Sequence, residues 1–405
     1  MQLKILTGLL AGLALSLLAC EPHVSPGYIP PETPILLQER NFPPCLIDDG
    51  DRQSLMKALE RSLAYLESIR STRNPPSPFL SPAGDFFSRE RVRHTLNLLR
   101  EIFLSTSTEG EMTQKVRENF VPVEFTQKKA NPSILLSGYY EPVLEGSLEP
   151  GGEYQYPIYR RPDDLIAVPS EEIPGNASIT ERMVRLQDGS AVPYYSRREI
   201  DSEGVLRGKG LELAWLKDPW DCFVLHIQGS GQIRLADGRT MKVGFAASNG
   251  RPYRSIGKYL VDRGFLSENA VTMERIREFL QENPDRAEEI YRVNERYVFF
   301  RPLSEPEGPM GALGVPLTPG RSIATDLTVF PPGAPAYLFS RQPVLDEEGR
   351  IAGWKPLLRI VFNQDTGAAM RGPWRVDLFL GSGDKAGMAA GEMKEEGRIY
   401  FLLAK

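Results

Sequence analysis

The chain has 405 residues, with 48 Lys and Arg against 53 Asp and Glu, 41% apolar and 25% charged side chains. A net charge of −5 excludes the uniformly basic surface of a general nucleic-acid binder, and the apolar share excludes a disordered chain. Beyond the first twenty residues no segment reaches ~18–20 uninterrupted apolar positions, which excludes a later membrane-spanning helix, and the length predicts two packed units.

Residues 1–20 read as a leader: a basic start at Lys4, an apolar run from Ile5 to Leu18 and a small-residue site ending at Cys20. Leu17-Leu18-Ala19-Cys20 resembles the bacterial lipoprotein processing signal, which implies an acylated Cys20 as the mature N-terminus. Several acyl chains on one residue anchor stably, since each buried CH₂ adds ~0.8 kcal/mol. Glu21 follows the cysteine rather than aspartate, so the expected location is the periplasmic face of the outer membrane. Residues 21–50, with Pro22, Pro26, Pro30, Pro31, Pro34, Pro43 and Pro44, are predicted to be a semi-extended tether.

Two helices are predicted next. Leu55, Leu59, Leu63, Leu66 and Ile69 recur at steps of three and four, as do Val92, Leu96, Leu99 and Phe103 after Ser88. From about Ile134 to Gly250 short apolar runs are cut by Gly, Pro and Asp, a β-rich texture, with Asp237-Gly238 as the turn of a hairpin. In this stretch the run Cys222–Ile227 is read as a strand. Helical pattern returns at 255–264 and 267–293, where Ser267 is the expected cap and Pro284 must break or restart the helix. The last hundred residues read as strands and turns, and Gly and Pro together make about one residue in six.

Metal chemistry is poorly supplied, because His23, His94 and His226 are the only histidines and no HExxH or paired Cys spacing exists. No metal and no cofactor are expected. A Ser-His-Asp triad has only His226 as a base, and a histidine in an apolar strand reads first as a core side chain. Gly381-Ser382-Gly383-Asp384-Lys385-Ala386 fits the dinucleotide fingerprint in form, but no βαβ crossover follows, so it reads as a turn with close backbone approach. For Cys45 and Cys222 a bridge and two unpaired thiols stand equally open. Among the carboxylates, Asp326 and Asp365 have ready turn roles. Asp377 lies inside the apolar run Val376–Leu380, where a carboxyl loses hydration, the condition that prepares a general acid.

Three stretches carry a resemblance. Leu136-Ser137-Gly138-Tyr139-Tyr140-Glu141-Pro142, the segment 213–238 and the segment 249–264 resemble the membrane-bound lytic murein transglycosylase A family. The end of the chain resembles its 3D domain, named for three aspartates that match Asp326, Asp365 and Asp377. The resemblance implies a mainly β fold with flanking helices: a discontinuous double-psi β-barrel from 51–140 and 250–405, including the 3D segment 310–405, with a smaller β-barrel inserted at 141–249.

It also implies cleavage of the β-1,4 bond between N-acetylmuramic acid and N-acetylglucosamine of peptidoglycan, leaving 1,6-anhydro ends. Asp377 matches the catalytic aspartate, Asp365 a neighbouring acid that orients the site or shares charge, and Asp326 is expected to be structural. Tyr139, Tyr140, Gln228, Gly229, Ser230 and Gly231 are the expected groove-lining residues, with Lys258 and Arg251 as cations for substrate carboxylates. The expected partners are glycan strands, the membrane through Cys20, and wall-synthesis proteins. A non-catalytic wall-binding lipoprotein of barwin-like or expansin-like fold is the alternative, and Asp377 discriminates, since a binder needs no acid inside an apolar strand.

Overall fold

The structure is a computed structural model and describes residues 36–42, 46–69, 87–126, 133–169, 181–268, 271–303 and 308–405. Cys20, Cys45 and most of the expected tether lie outside the described residues. The part of that tether nearest the first helix is folded. A short strand β1 (Leu36–Glu39) is followed by Leu46, which is buried in the main core. Asp48 then meets Arg321 in a buried pair, with both carboxylate oxygens 2.7 Å from the guanidinium.

Helices α1 (Arg52–Ser68) and α2 (Arg89–Ser105) follow the expected periodicity, burying Leu55, Leu59 and Leu66, and Val92, Leu96, Leu99 and Phe103. Asp51 and Ser88 cap them through their side chains. A third helix, α3 (Glu109–Asn119), was not anticipated, although Thr108 and Glu111 form a complete capping box at its start. Thr108→Ala is expected to cost about 1 kcal/mol, read as a lower urea midpoint with an unchanged m-value.

The strands that follow are β2 (Phe120–Thr126), β3 (Ile134–Glu141), β4 (Val143–Ser147), β5 (Tyr156–Tyr159), β6 (Ile166–Pro169), β7 (Glu181–Gln187), β8 (Ser190–Pro193) and β9 (Glu212–Leu216). Helix α4 (Pro219–Gln228) leads into β10 (Ser230–Leu235) and β11 (Thr240–Ser248), which pair antiparallel around Gly238 at φ 85°. The expected hairpin is therefore present. After α5 (Ile256–Asp262), α6 (Met273–Glu282) and α7 (Pro284–Val293) come β12 (Val298–Pro302), β13 (Ser322–Ala324), β14 (Pro335–Leu345), β15 (Ile351–Asp365) and β16 (Arg375–Ser382). Helix α8 (Asp384–Glu392) and β17 (Lys394–Ala404) complete the chain.

Six strands close on themselves in the order β17, β14, β15, β13, β16, β3, with β3 pairing back to β17. Two of these pairs are parallel, β13 with β15 and β16 with β3. This is the double-psi β-barrel, and β1 and β2 extend it at β17. The main core lies inside it and under α1 and α2. A second sheet runs β12, β11, β10, β4, β9, β5, and a bridge between Arg160 and Phe300 brings its two edges together. A small sheet of β6, β7 and β8 stands beside these.

Three local expectations are corrected. The run Cys222–Ile227 is helical, because Asp218 caps the Trp220 N–H and Pro219 occupies the first turn. A short apolar run buried on most sides has no period that separates strand from helix. Helix α6 is capped by Thr272 rather than Ser267, and it starts later than expected. The glycine turn at 381–383 does bend the chain, at φ 111° and 82°, but it then opens into α8, which was read as part of the strand-and-turn region. Pro284 does restart the helix, as α7. No helix among the described residues is long and apolar enough to cross a membrane.

Candidate active site

The parallel pair of β3 and β16 sets Asp377 opposite Ser137 and Phe379 opposite Tyr139. Alternation along β16 sends Val376 and Leu378 into the barrel core, so Asp377 faces the other, half-open side. The expected picture of an acid enclosed by its apolar neighbours is thus corrected: the neighbours are buried, and the acid stands on the opposite face. Its Oδ1 accepts from the Ser137 hydroxyl at 2.5 Å and from Arg375 Nε at 3.2 Å, and Oδ2 accepts from Arg375 Nη2 at 3.4 Å. Arg375 lies two residues back on the same strand face, so both cation and acid project together.

Asp365 closes β15. Its Oδ2 accepts from the Tyr139 hydroxyl at 2.8 Å, and its Oδ1 from the backbone N–H groups of Ala312 and Thr366 at 2.8 and 2.9 Å. Burial dominates these donors and, with the charge of Asp377 adding to it, pushes the Asp365 carboxyl up to about 6. Tyr139 is correspondingly held as the neutral phenol, raised well above its usual range by burial and then by the Asp365 charge. Its ring leans on Phe379 at a centroid distance of 5.3 Å. Tyr139, Asp365 and Asp377 therefore form one connected group.

Asp326, the third aspartate, is buried and fully occupied in its own turn. It accepts from the Thr328 N–H and hydroxyl and, through Oδ2, from the Gly372 N–H at 2.7 Å. That last bond ties the loop before β16 to the end of β13.

Tyr140, Gln228, Gly229, Ser230 and Gly231 sit where α4 turns into β10. Gln228 Oε1 accepts from the Tyr140 N–H at 3.2 Å, so its side chain fastens the helix end to β3. Gly229 takes the left-handed cap at φ 78° with open space around it. A Cβ at Gly231 would stand 2.5 Å from Leu225, so this glycine serves close packing of β10 on α4. The Tyr140 ring packs against α8 and the cluster around Trp220 and Phe223. His226 lies in α4, not in a strand, with its ring buried 4.2 Å from that of Tyr297 and burial pushing its pKa well below 6.5. It is a core side chain, as the plainer reading had it. Cys222 is a free buried thiol near the Tyr156 carbonyl.

Besides Arg375, sequence reasoning missed three groups. Ser137, quoted within its motif, holds Asp377 directly. Tyr253, in the quoted 249–264 stretch, lies close enough to Arg375 and Asp377 for both charges to act on its phenol, whose pKa burial raises. Glu141 is fully buried where the two sheets meet, accepting through Oε2 from Gln232 of β10 and Ser382 of β16, each at 2.6 Å. An alternating pattern at the end of β3 gives no hint of that carboxylate, because its partners are distant in sequence.

Comparison with known proteins bears on this arrangement. Residues 135–301 match the family model described as the MltA specific insert domain, and residues 321–403 match the 3D domain. The membrane-bound lytic murein transglycosylase A of Escherichia coli K12 is 33% identical over 81% of this chain and 85% of its own length. The Vibrio cholerae protein of the same name is 30% identical over 67% of this chain and 65% of its own length. A crystal structure of a membrane-bound lytic murein transglycosylase from Agrobacterium tumefaciens superposes with a TM-score of 0.73 at 30% identity, covering 91% of this chain and 97% of that one. The E. coli MltA structure with bound chitohexaose gives a TM-score of 0.65 at 26% identity, covering 90% and 93%.

Proposed function

We propose, from the premise that this chain belongs to the membrane-bound lytic murein transglycosylase A family, that it cleaves the β-1,4 bond between N-acetylmuramic acid and N-acetylglucosamine in peptidoglycan and leaves 1,6-anhydro ends. The observation that carries the reading is the Asp377 carboxyl on the half-open face of β16. The neighbouring acid, Asp365, is held by three donors at the end of β15. Two-carboxylate hydrolysis needs a second acid free to attack or to activate water. Asp365 is not free in that way.

One carboxyl group then serves twice. Protonated Asp377 gives its proton to the glycosidic oxygen as the C1–O bond breaks, and the N-acetylglucosamine leaves with its hydroxyl restored. The C6 hydroxyl of the muramic acid forms the new C1–O bond, and its proton passes to the Asp377 carboxylate, which restores the starting state. No water is consumed. Ser137 and Arg375 fix the carboxyl in one orientation. Tyr139 orients Asp365, and Tyr140 and the segment Gln228–Gly231 shape the wall beside it.

We further read Cys20 as the lipidated anchor at the periplasmic face of the outer membrane. We keep the inserted unit at 141–249, a division that the pairing of β4, β5, β9, β10 and β11 in one sheet supports. Wall turnover and remodelling is the corresponding role. Digestion of murein sacculi with the full chain in detergent, followed by mass spectrometry, is expected to release 1,6-anhydromuropeptides. Reducing-end muropeptides would make the protein a hydrolase, and no release would favour a wall binder.

A further inference from the structure

The cations expected to meet substrate carboxylates are engaged elsewhere: Lys258 pairs with Asp262 on its own helix, and Arg251 donates to the Tyr194 carbonyl. The strand register supplies another. Asp377 of β16 stands opposite Ser137 of β3, and Ser137 stands opposite Lys394, the first residue of β17, on its other side. Beyond Asp377 the same row continues through Ala324 of β13 to Asp365 of β15. Directly opposed residues of paired strands project from one face, and the Ser137 hydroxyl on Asp377 Oδ1 at 2.5 Å shows this for the first pair. Lys394 therefore rises on the face of Asp377, two strand spacings or about 9.5 Å away between backbones.

Burial along β17 agrees with that placement. Glu395, Gly397 and Ile399 are buried while Lys394, Glu396 and Arg398 are exposed, so alternation turns Lys394 outward. Helix α8 packs on the opposite face of β3, where a Cβ at Gly138 would stand 2.8 Å from Ala390, and so leaves the Lys394 face open. Among the described residues no hydrogen bond or ion pair engages Lys394. Glu395 points the other way and pairs with Arg341, and Glu396, two residues on, does not pair with the lysine. Leu135, the register partner of Glu396 and diagonal to Lys394, is 40% exposed. A free cation and an apolar side chain thus lie side by side, one strand beyond the residue that holds Asp377.

We propose that Lys394 is a specificity-determining residue that receives a stem-peptide carboxylate of the muramic acid whose glycosidic bond Asp377 protonates, with Leu135 beneath the apolar part of that peptide. This rests on the reading of peptidoglycan as the substrate. The stem peptide hangs from the same sugar ring on which Asp377 acts, so a ring held at the acid directs its peptide to one side of the row. Lysine suits that place: a compact charge on a flexible stem can follow a mobile peptide, whereas a planar guanidinium fork demands one geometry. The charge favours glycan with free peptide carboxylates over glycan in which they are blocked.

The test uses the full chain in detergent on two substrates: untreated murein sacculi, and sacculi whose free carboxylates have been coupled to methylamine. The wild-type protein is expected to prefer the untreated sacculi by about fivefold in kcat/KM, the upper end for one exposed ion pair, with the difference carried by KM. Raising salt from about 50 to about 500 mM should narrow that preference. In Lys394→Met, which keeps an unbranched stem and loses the charge, the ratio should fall to near one, and Lys394→Arg should keep most of it. A wild-type ratio near one overturns the proposal. So does a ratio retained in Lys394→Met, an equal loss on both substrates in that variant, or a loss of preference that Lys394→Arg shares. Failure of the wild-type protein to form anhydro ends from either substrate overturns the reading of function, and the role of Lys394 with it.

Discussion

Asp377→Ala is expected to lower turnover of murein sacculi by about 10³–10⁴-fold, at the upper end of what one acid–base group supplies, with the fold retained. The size follows from the double use of a single carboxyl: the variant loses both the proton donor for the leaving oxygen and the acceptor for the C6 hydroxyl. Retention of the fold follows from where the side chain sits. Asp377 faces away from the barrel core that Val376 and Leu378 fill, and its partners Ser137 and Arg375 are half-buried groups that water can satisfy. Asp377→Asn should be as inactive while keeping an acceptor for Ser137, which separates lost chemistry from lost packing. The measurement is anhydromuropeptide release alongside a urea midpoint. Activity within tenfold of wild type in either variant would move the acid elsewhere.

Much of this site was legible in the sequence, for a physical reason. Asp377 stands out because a carboxylate within an apolar strand needs an explanation from local chemistry alone, whereas Asp365, with a ready turn role, was marked by the resemblance. Tyr139 was marked by its motif. What the sequence could not convey is which face each side chain takes and what meets it there. The face of Asp377 depends on the register of β16 against β3, two strands more than two hundred residues apart. Ser137 becomes its partner only through that register. Lys258, by contrast, looked available because its i,i+4 acid, Asp262, was not weighed against the groove. Helix α4 was misread for want of period, while α3 carried a full capping box that short length concealed.

Asp365→Asn is expected to change both the pH profile and the stability, in opposite directions at neutral pH. In the wild-type protein burial, with the charge of Asp377 adding to it, places the Asp365 carboxyl at about 6. The pH profile should carry a limb near 6, where Asp365 gains its charge beside Asp377. Replacing Asp365 with the neutral amide keeps an acceptor for the Ala312 and Thr366 N–H groups, makes the Tyr139 hydroxyl the acceptor of the new NH2, and removes the negative neighbour. The limb near pH 6 should disappear, and turnover at pH 7 should drop by about 10²-fold, the lower end for an acid–base group. For stability the sign runs the other way. A carboxyl raised from 3.8 to about 6 on folding binds its proton more tightly in the native state, so ionising it there costs stability that grows as pH rises from about 4 to about 6. The asparagine never ionises and escapes that cost. Its urea midpoint should exceed the wild-type value at pH 7.5, and the difference should vanish below about pH 4. A midpoint difference that is independent of pH would show that Asp365 ionises in the folded protein without desolvation cost.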